Sequence, residues 1–447
     1  MMTRFSRQHC GSPEHLFHRR AFLGAAGGTL LGGALGLDML ANSVLAEKLK
    51  RDQKRVLMIF LNGGMSQLES WDPKPGQPTG GPFMSIPTSV PGYHISELMP
   101  EMAKRIAKHT AVIRSLDSKN ASHGAGGHRV LRGGKPNQGL KYPSLGCMLA
   151  RELAQPVSLV PDHVMFTNYG GDNYFESGGF LGTRYDPLKI TPVRIPGDPN
   201  KMLQIALAPK GNTLPDSLTE EQHQQRGALR EELSREFTNG RERDSILASH
   251  NLAFSRVRGL MASDRLFDLE QEPASMRARY GPSWFGKQAL IARRLIEADV
   301  PYVRVNYGWW DHHGQNFEFH HEMVPVLDHV LAVLLDDLKD RGLLEHTLVV
   351  TLSEMGRTPG INRMMGRDHF PRMSVTLSGC GINPGVIHGK TDDTGNTITE
   401  GMVTLQQFFA TIFQAVGIDH EKEYLAPDGR PVPLTDYGTE PLVEVLA

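Results

Sequence analysis

Five short runs that read as strands, some of them separated by amphipathic stretches of helical length, most restrict what this chain can fold into. Arg55-Val56-Leu57-Met58-Ile59-Phe60-Leu61 passes straight into Asn62-Gly63-Gly64. Such a short, continuous run reads as a buried strand closed by a tight turn. Thr110-Ala111-Val112-Ile113-Arg114, a weaker run, and residues 301–306, 347–352 and 373–377 are read as further strands. Ser283 can cap a helix over 284–298, with Leu290, Ile291, Leu295 and Ile296 as its buried stripe. A longer helix from about 322 to 340 stops at Gly342, a natural C′ glycine, and a final helix covers 404–416. Strands alternating with helices of this length call for an α/β fold with a parallel sheet covered on both faces.

Two regions break the rhythm. Residues 163–215 are rich in Gly, Pro and Asp and too long for an ordinary connection, which suggests a functional loop. Residues 217–262 carry dense Glu, Gln and Arg and read as a peripheral helical hairpin over the sheet edge. The insertion 163–262 is therefore either a substrate-facing lid or surface decoration.

Residues 1–46 are set apart as a targeting segment. His18-Arg19-Arg20-Ala21-Phe22-Leu23-Gly24 has the twin-arginine form, and a Gly/Ala/Leu-rich stretch follows to about Leu40. A bilayer-spanning helix needs roughly 20 predominantly apolar residues. The glycines and Asp38 make this stretch a poor permanent anchor, so no stable membrane span is expected. Val44-Leu45-Ala46 places small residues where a signal peptidase reads, giving a mature domain over 47–447. Twin-arginine export, to the periplasm or beyond, carries folded and often metal-loaded proteins. Beyond the leader only Cys147 and Cys380 remain, too few for a disulfide framework. Lysine plus arginine (48) nearly balance aspartate plus glutamate (49), so the charge calls for no nucleic acid. Oligomeric state is not encoded in any pattern here.

The chemistry gathers late in the chain. Asp311 and His313 stand two apart just beyond a strand, with His312, His320 and His321 nearby. Glu354 ends another apolar strand, either to coordinate a cation or to pair with Arg357, and Asp368-His369 adds a second acid–imidazole pair. Oxygen and nitrogen ligands of this kind suit divalent metals such as zinc or manganese. The three loops can close one site at the carboxyl edge of a parallel sheet. Burying so many charges requires a cation or a complete hydrogen-bond network. The first turn can add Asn62 through its amide oxygen, and Asp72, which is equally suited to cap the turn before Pro73. Ser66 has no base close in sequence to activate it. Asn120-Ala121-Ser122-His123-Gly124-Ala125-Gly126-Gly127-His128 carries a Ser–His step in a glycine-rich loop, leading toward a helix N-terminus where oxyanions bind well.

At these motifs the sequence resembles an exported family, domain of unknown function 1501, which belongs with the alkaline phosphatase and sulfatase superfamily. The matching residues are the twin-arginine leader, Asn62-Gly63-Gly64, Trp71-Asp72-Pro73-Lys74-Pro75, Ala292-Arg293-Arg294-Leu295, Trp310-Asp311-His312-His313-Gly314, Glu354-Met355-Gly356-Arg357-Thr358-Pro359 and Gly366-Arg367-Asp368-His369. The resemblance implies an alkaline-phosphatase-like three-layer α/β/α sandwich with a mostly parallel sheet, and a metal-dependent hydrolase ancestry. Two departures stand out. Asn62 replaces the superfamily's aspartate after the first strand, and Glu354-Met355 replaces its later Asp-His or Asp-Asn. Ser122 is the nearest match to its nucleophile.

The expectation is an exported hydrolase of a phosphate or sulfate ester, borne on a small molecule or a polysaccharide. Asp311, His313 and His369 would hold a divalent metal (Zn, Mn or Ca), with Glu354, Asp368 and Asn62 completing or bridging the site. Ser122 and Arg357 would be the catalytic residues, Arg357 orienting an anion by a bidentate contact. The alternative is a non-catalytic binding protein that keeps the fold and a vestigial site, for a sulfated polysaccharide or an envelope partner.

Overall fold

In the computed structural model of the protein, residues 53–135, 139–155, 160–167, 176–191, 219–238 and 264–447 are described, and 53–447 form one unit. Residues 1–46, expected from sequence to be a targeting segment, lie outside these residues. Among them, no helix is long and apolar enough to cross a membrane.

The first apolar run is strand β1 (Arg55–Leu61), buried at every residue. It lies at the centre of a nine-stranded sheet. The other strands are β2 (Thr110–Asp117), β3 (His163–Phe166), β4 (Leu188–Ile190), β5 (Tyr302–Tyr307), β6 (Thr347–Ser353), β7 (Arg372–Gly379), β8 (Ile387–His388) and β9 (Val403–Thr404). Their order is β8-β2-β7-β6-β1-β5-β3-β4, with β9 also on β2. β1 pairs in parallel with β5 and β6, and β5 with β3. Only β7 runs against its neighbours, β2 and β6. The α/β expectation holds, with a mostly parallel sheet.

Alternation along β1 sorts its side chains onto two faces. Leu57, Ile59 and Leu61 pack with helix α3 (Trp284–Glu297) and helix α4 (Asn316–Asp340). Val56, Met58 and Phe60 pack with α2 (Leu145–Leu153) and α5 (Leu405–Ala415) on the opposite face. Each such buried aliphatic or aromatic side chain contributes about 1.5–3 kcal/mol, and the three layers follow. Ser283 caps α3 by accepting from the Gly286 amide, as expected. Arg293, on the buried side of α3, pairs with Glu272 at 2.6 Å and with Asp337 of α4 at 2.9 Å, so this part of the Ala292–Leu295 motif joins helices.

Two differences from the sequence reading have physical causes. The segment 163–215, expected to be loop, contributes β3 and β4. Strands of four and three residues show no periodicity of their own and are made by pairing, β3 with β5 and β4 with β3. Of the expected hairpin over 217–262, helix Glu220–Thr238 is present and the remainder lies outside the described residues. Helix α4 starts at Asn316, ahead of the expected position. No capping side chain marks that start, because the backbone amides of Gln315 and Asn316 bond instead to the carbonyls of Met364 and Met365. Cys147 and Cys380 are both buried and free.

A buried ion pair fastens the loops above the sheet. Arg367 grips Glu69 through Nε at 3.0 Å and Nη2 at 2.6 Å, and also donates to the carbonyls of Thr358, Pro359 and Thr79. Asn316 adds a bond to the same carboxylate at 3.0 Å. Burial works against the Glu69 charge, but Arg367 outweighs it and its pKa falls. Removing one partner of a buried pair leaves the other uncompensated. Arg367→Met should therefore cost about 3–5 kcal/mol in urea unfolding. Much of that loss should return in the double variant with Glu69→Gln.

Candidate functional site

Every motif singled out near a metal arrives at one edge of the sheet. β1, β2, β5 and β6 all point their carboxyl ends there. Because β7 is antiparallel, its first residue starts at the same edge, and the ribbon pairing Gly356–Arg357 with His369–Phe370 stands just before it. β1 ends in Asn62-Gly63-Gly64, whose backbone lies directly against the loop after β5. A Cβ on Gly63 would stand 2.6 Å from the Trp310 nitrogen and 2.8 Å from that of Asp311. Likewise a Cβ on Gly366 would fall 2.0 Å from the His313 carbonyl carbon. Both glycines are required by contact between loops rather than by a ligand.

Arg357 locks this arrangement. It is fully buried and donates to the carbonyls of Gly63, Gly64 and Arg367 and, at 2.5 Å, to Asp311 Oδ1. It therefore orients Asp311 from beneath instead of facing an anion, the position expected from sequence.

Above it, three atoms form a triangle. Asp311 Oδ1, His313 Nε2 and His369 Nε2 are 3.1 Å from one another. Ligands about 2.0–2.1 Å from a tetrahedral ion stand roughly 3.3–3.4 Å apart, so this spacing suits one cation. The donor set also suits it. His313 Nδ1 lies 2.7 Å from Asp368 Oδ1, which keeps the proton on Nδ1 and turns the Nε2 lone pair inward. Burial pushes the His369 pKa down, toward the neutral ring a metal needs. Asp368 itself is mostly exposed and acts on His313, whose hydrogen bond lowers its pKa.

His123 completes the cluster. It opens helix α1 (His123–Val130) beyond β2, with Nδ1 on Glu354 Oε1 and Nε2 3.1 Å from Asp311 Oδ2. His123, Asp311 and His369 also form a group close enough to share an ion. Hydrogen bonds to Asp311 and Glu354 raise the His123 pKa to about 9. Burial disfavours the Asp311 charge, but His123 and Arg357 hold its carboxyl well below the usual range. Glu354 Oε2 and Asn62 Oδ1 are buried acceptors with no hydrogen-bond donor among the described residues. The register Leu61↔Ser353 sets these two residues side by side. Unpaired buried oxygens next to a carboxylate–imidazole cluster again fit a cation.

The remaining candidates have other duties. Ser122 caps α1: its hydroxyl accepts from the Gly126 amide at 3.1 Å and donates to Asn120 Oδ1 at 2.8 Å. Ser66 is fully buried. Asp72 is engaged by Lys74, Arg114 and Thr391. His312 stacks on Phe319 at 4.0 Å and His321 on Phe83 at 6.3 Å. His320 accepts from the Ser66 amide at 3.2 Å. The residue that sequence reasoning passed over is His123. It stood in the quoted glycine-rich loop, beside the serine that drew the attention.

Without a bound cation, His123 holds its proton more tightly in the folded chain (about 9) than at its ordinary value of 6.5. Its pairing thus stabilises the fold fully below about pH 6.5, and that contribution is lost as pH rises through about 9. In chelator, the melting temperature of the native protein should fall more between those pH values than that of His123→Gln. Equal falls would show that the pairing adds nothing.

Three solved structures show distant likeness. A protein in the alkaline phosphatase superfamily from Vibrio parahaemolyticus has a TM-score of 0.38 and 10% identity, over 82% of this chain and 67% of that one. The PsFucS1 sulfatase from Pseudoalteromonas sp. has 0.37 and 10%, over 86% and 71%. The phosphonate monoester hydrolase of Agrobacterium radiobacter has 0.33 and 13%, over 88% and 77%. At that level no residue role transfers from them. None of the curated proteins matches. The family model described as "Protein of unknown function (DUF1501)" matches residues 53–446, and the chain belongs to that family.

Proposed function

We propose that this protein is an exported metal-dependent hydrolase of a phosphate or sulfate ester. The observation that carries the reading is the Asp311–His313–His369 triangle, with its 3.1 Å spacing and an inward-turned His313 Nε2. Asp311, His313 and His369 would hold the cation, with Glu354 and Asn62 supplying the unpaired oxygens beside it. A bound divalent ion supplies Lewis-acid polarisation of the ester and stabilises charge on the transferring group. The chain's own residues do the rest. Arg357 and Asp368 fix the orientation of Asp311 and His313. His123, flanked by the Asp311 and Glu354 carboxylates, is the imidazole placed to hand on a proton. Water attacks phosphorus or sulfur and releases a proton to solvent, the ester bond to the leaving oxygen breaks, and His123 turns its Nε2 proton from Asp311 to that oxygen before taking up a proton from solvent. The twin-arginine motif supports action outside the cytoplasm.

A second reading, a binding protein with a vestigial site, is favoured by one observation. Among the described residues no serine, threonine or cysteine side chain is hydrogen-bonded to His123, His313 or His369.

Metal analysis and an ester screen separate the two. The purified protein should carry about one equivalent of divalent ion, lost in Asp311→Ala. It should hydrolyse phosphate or sulfate monoesters, or diesters, in a chelator-sensitive way. His123→Gln should keep its metal while kcat falls about 100-fold or more. Less than roughly a tenth of an equivalent of metal would overturn the reading. Bound metal with no turnover of any ester would favour the binding protein.

A further inference from the structure

The loop that carries Asp311 holds two consecutive tryptophans with opposite fates. Trp310 is fully buried, whereas Trp309 is 45% exposed. The division is made at Gly308, where φ is +108° and a Cβ would lie 2.3 Å from the Trp310 ring. Only glycine allows the turn that drives Trp310 into the core and leaves Trp309 at the surface. Trp309 is not adrift there. Its indole stacks on the His123 imidazole, centroids 5.2 Å apart and planes inclined 27°. The same imidazole touches Asp311 and Glu354. A large apolar ring is thus held in place one ring away from the polar cluster, with much of its surface open.

Such placement does nothing for an inorganic anion and little for a short polar alcohol. It matches a flat group with an apolar face, attached next to the reacting ester oxygen. We propose that Trp309 is the stacking platform for the leaving group, and that the substrate is an ester whose oxygen is borne directly on a ring, either an aryl group or a pyranose. The platform rests on the ester-hydrolase reading and makes it more specific. Trp309 binds the leaving group and takes no part in bond breaking. A fixed indole gives up little conformational freedom on stacking, so its effect falls on binding.

The test uses the metal-loaded protein with phenyl phosphate, glucose 1-phosphate and glycerol 1-phosphate, and Trp309→Ala and Trp309→Phe beside the native chain. Trp309→Ala should raise KM for ring-bearing esters roughly 10-fold, change kcat less than about twofold and leave the glycerol ester nearly unaffected. Trp309→Phe should restore most of the loss, and metal content should be the same in all three. A response to phenyl phosphate alone selects the aryl source, and one to glucose 1-phosphate alone selects the pyranose. Equal changes for ring and glycerol esters would overturn the proposal. If the native protein turns over no ester, the hydrolase reading fails separately, and tryptophan fluorescence decides the platform. Saturable quenching by phenyl phosphate that disappears in Trp309→Ala keeps the platform as a binding subsite. Quenching that is absent, or identical in the variant, removes it.

Discussion

The site depends on one buried guanidinium. Arg357 has no exposed surface, so its charge must be met entirely by protein. It is met by carbonyls from the loop after β1, a carbonyl from the ribbon that precedes β7, and the carboxylate that follows β5. Three segments far apart in sequence are thereby drawn to one point. The glycines at 63 and 366 remove the side chains that would prevent it. Glu69 and Arg367 repeat the device one step outward, fixing the ribbon to the first loop. Asp311 is consequently held from below, with its oxygens directed at imidazoles.

Above that floor the electrostatics are unbalanced in a particular way. Asp311 and Glu354 are brought close enough for a single imidazole to touch both. His123 answers them by holding its proton to about pH 9. Two imidazole nitrogens, those of His313 and His369, nonetheless face each other at 3.1 Å, and two buried oxygens find no donor among the described residues. A proton on His123 neutralises one carboxylate but gives these groups nothing to bind. A divalent ion would satisfy both needs, which is why the proposed chemistry begins there.

Much of the scaffold was legible because it is dictated locally. β1 is apolar on both faces, β5 and β6 are apolar on one, and α3 carries its cap and stripe in sequence. β3 and β4 were not legible, since three or four residues become a strand only when a neighbour lies beside them, β5 for β3 and β3 for β4. The start of α4 was hidden because Gln315, at φ 53°, is set by contacts to Met364 rather than by a capping side chain. In the site, Asp311, His313, Glu354 and His369 could be read because carboxylates and imidazoles at strand ends are conspicuous. His123 could not, since its partners lie 188 and 231 residues away. Arg357 was visible as a charge, but its inward orientation was not, because only the folded loops supply its acceptors.

X-ray absorption at the zinc edge, on protein reconstituted with one equivalent of zinc, tests the central claim most directly. The account requires a first shell of nitrogen and oxygen at about 2.0–2.1 Å. It also requires outer-shell scattering from at least two imidazoles, with one ring fewer in His369→Ala. A shell of oxygen alone, or imidazole scattering unchanged by that substitution, would contradict it.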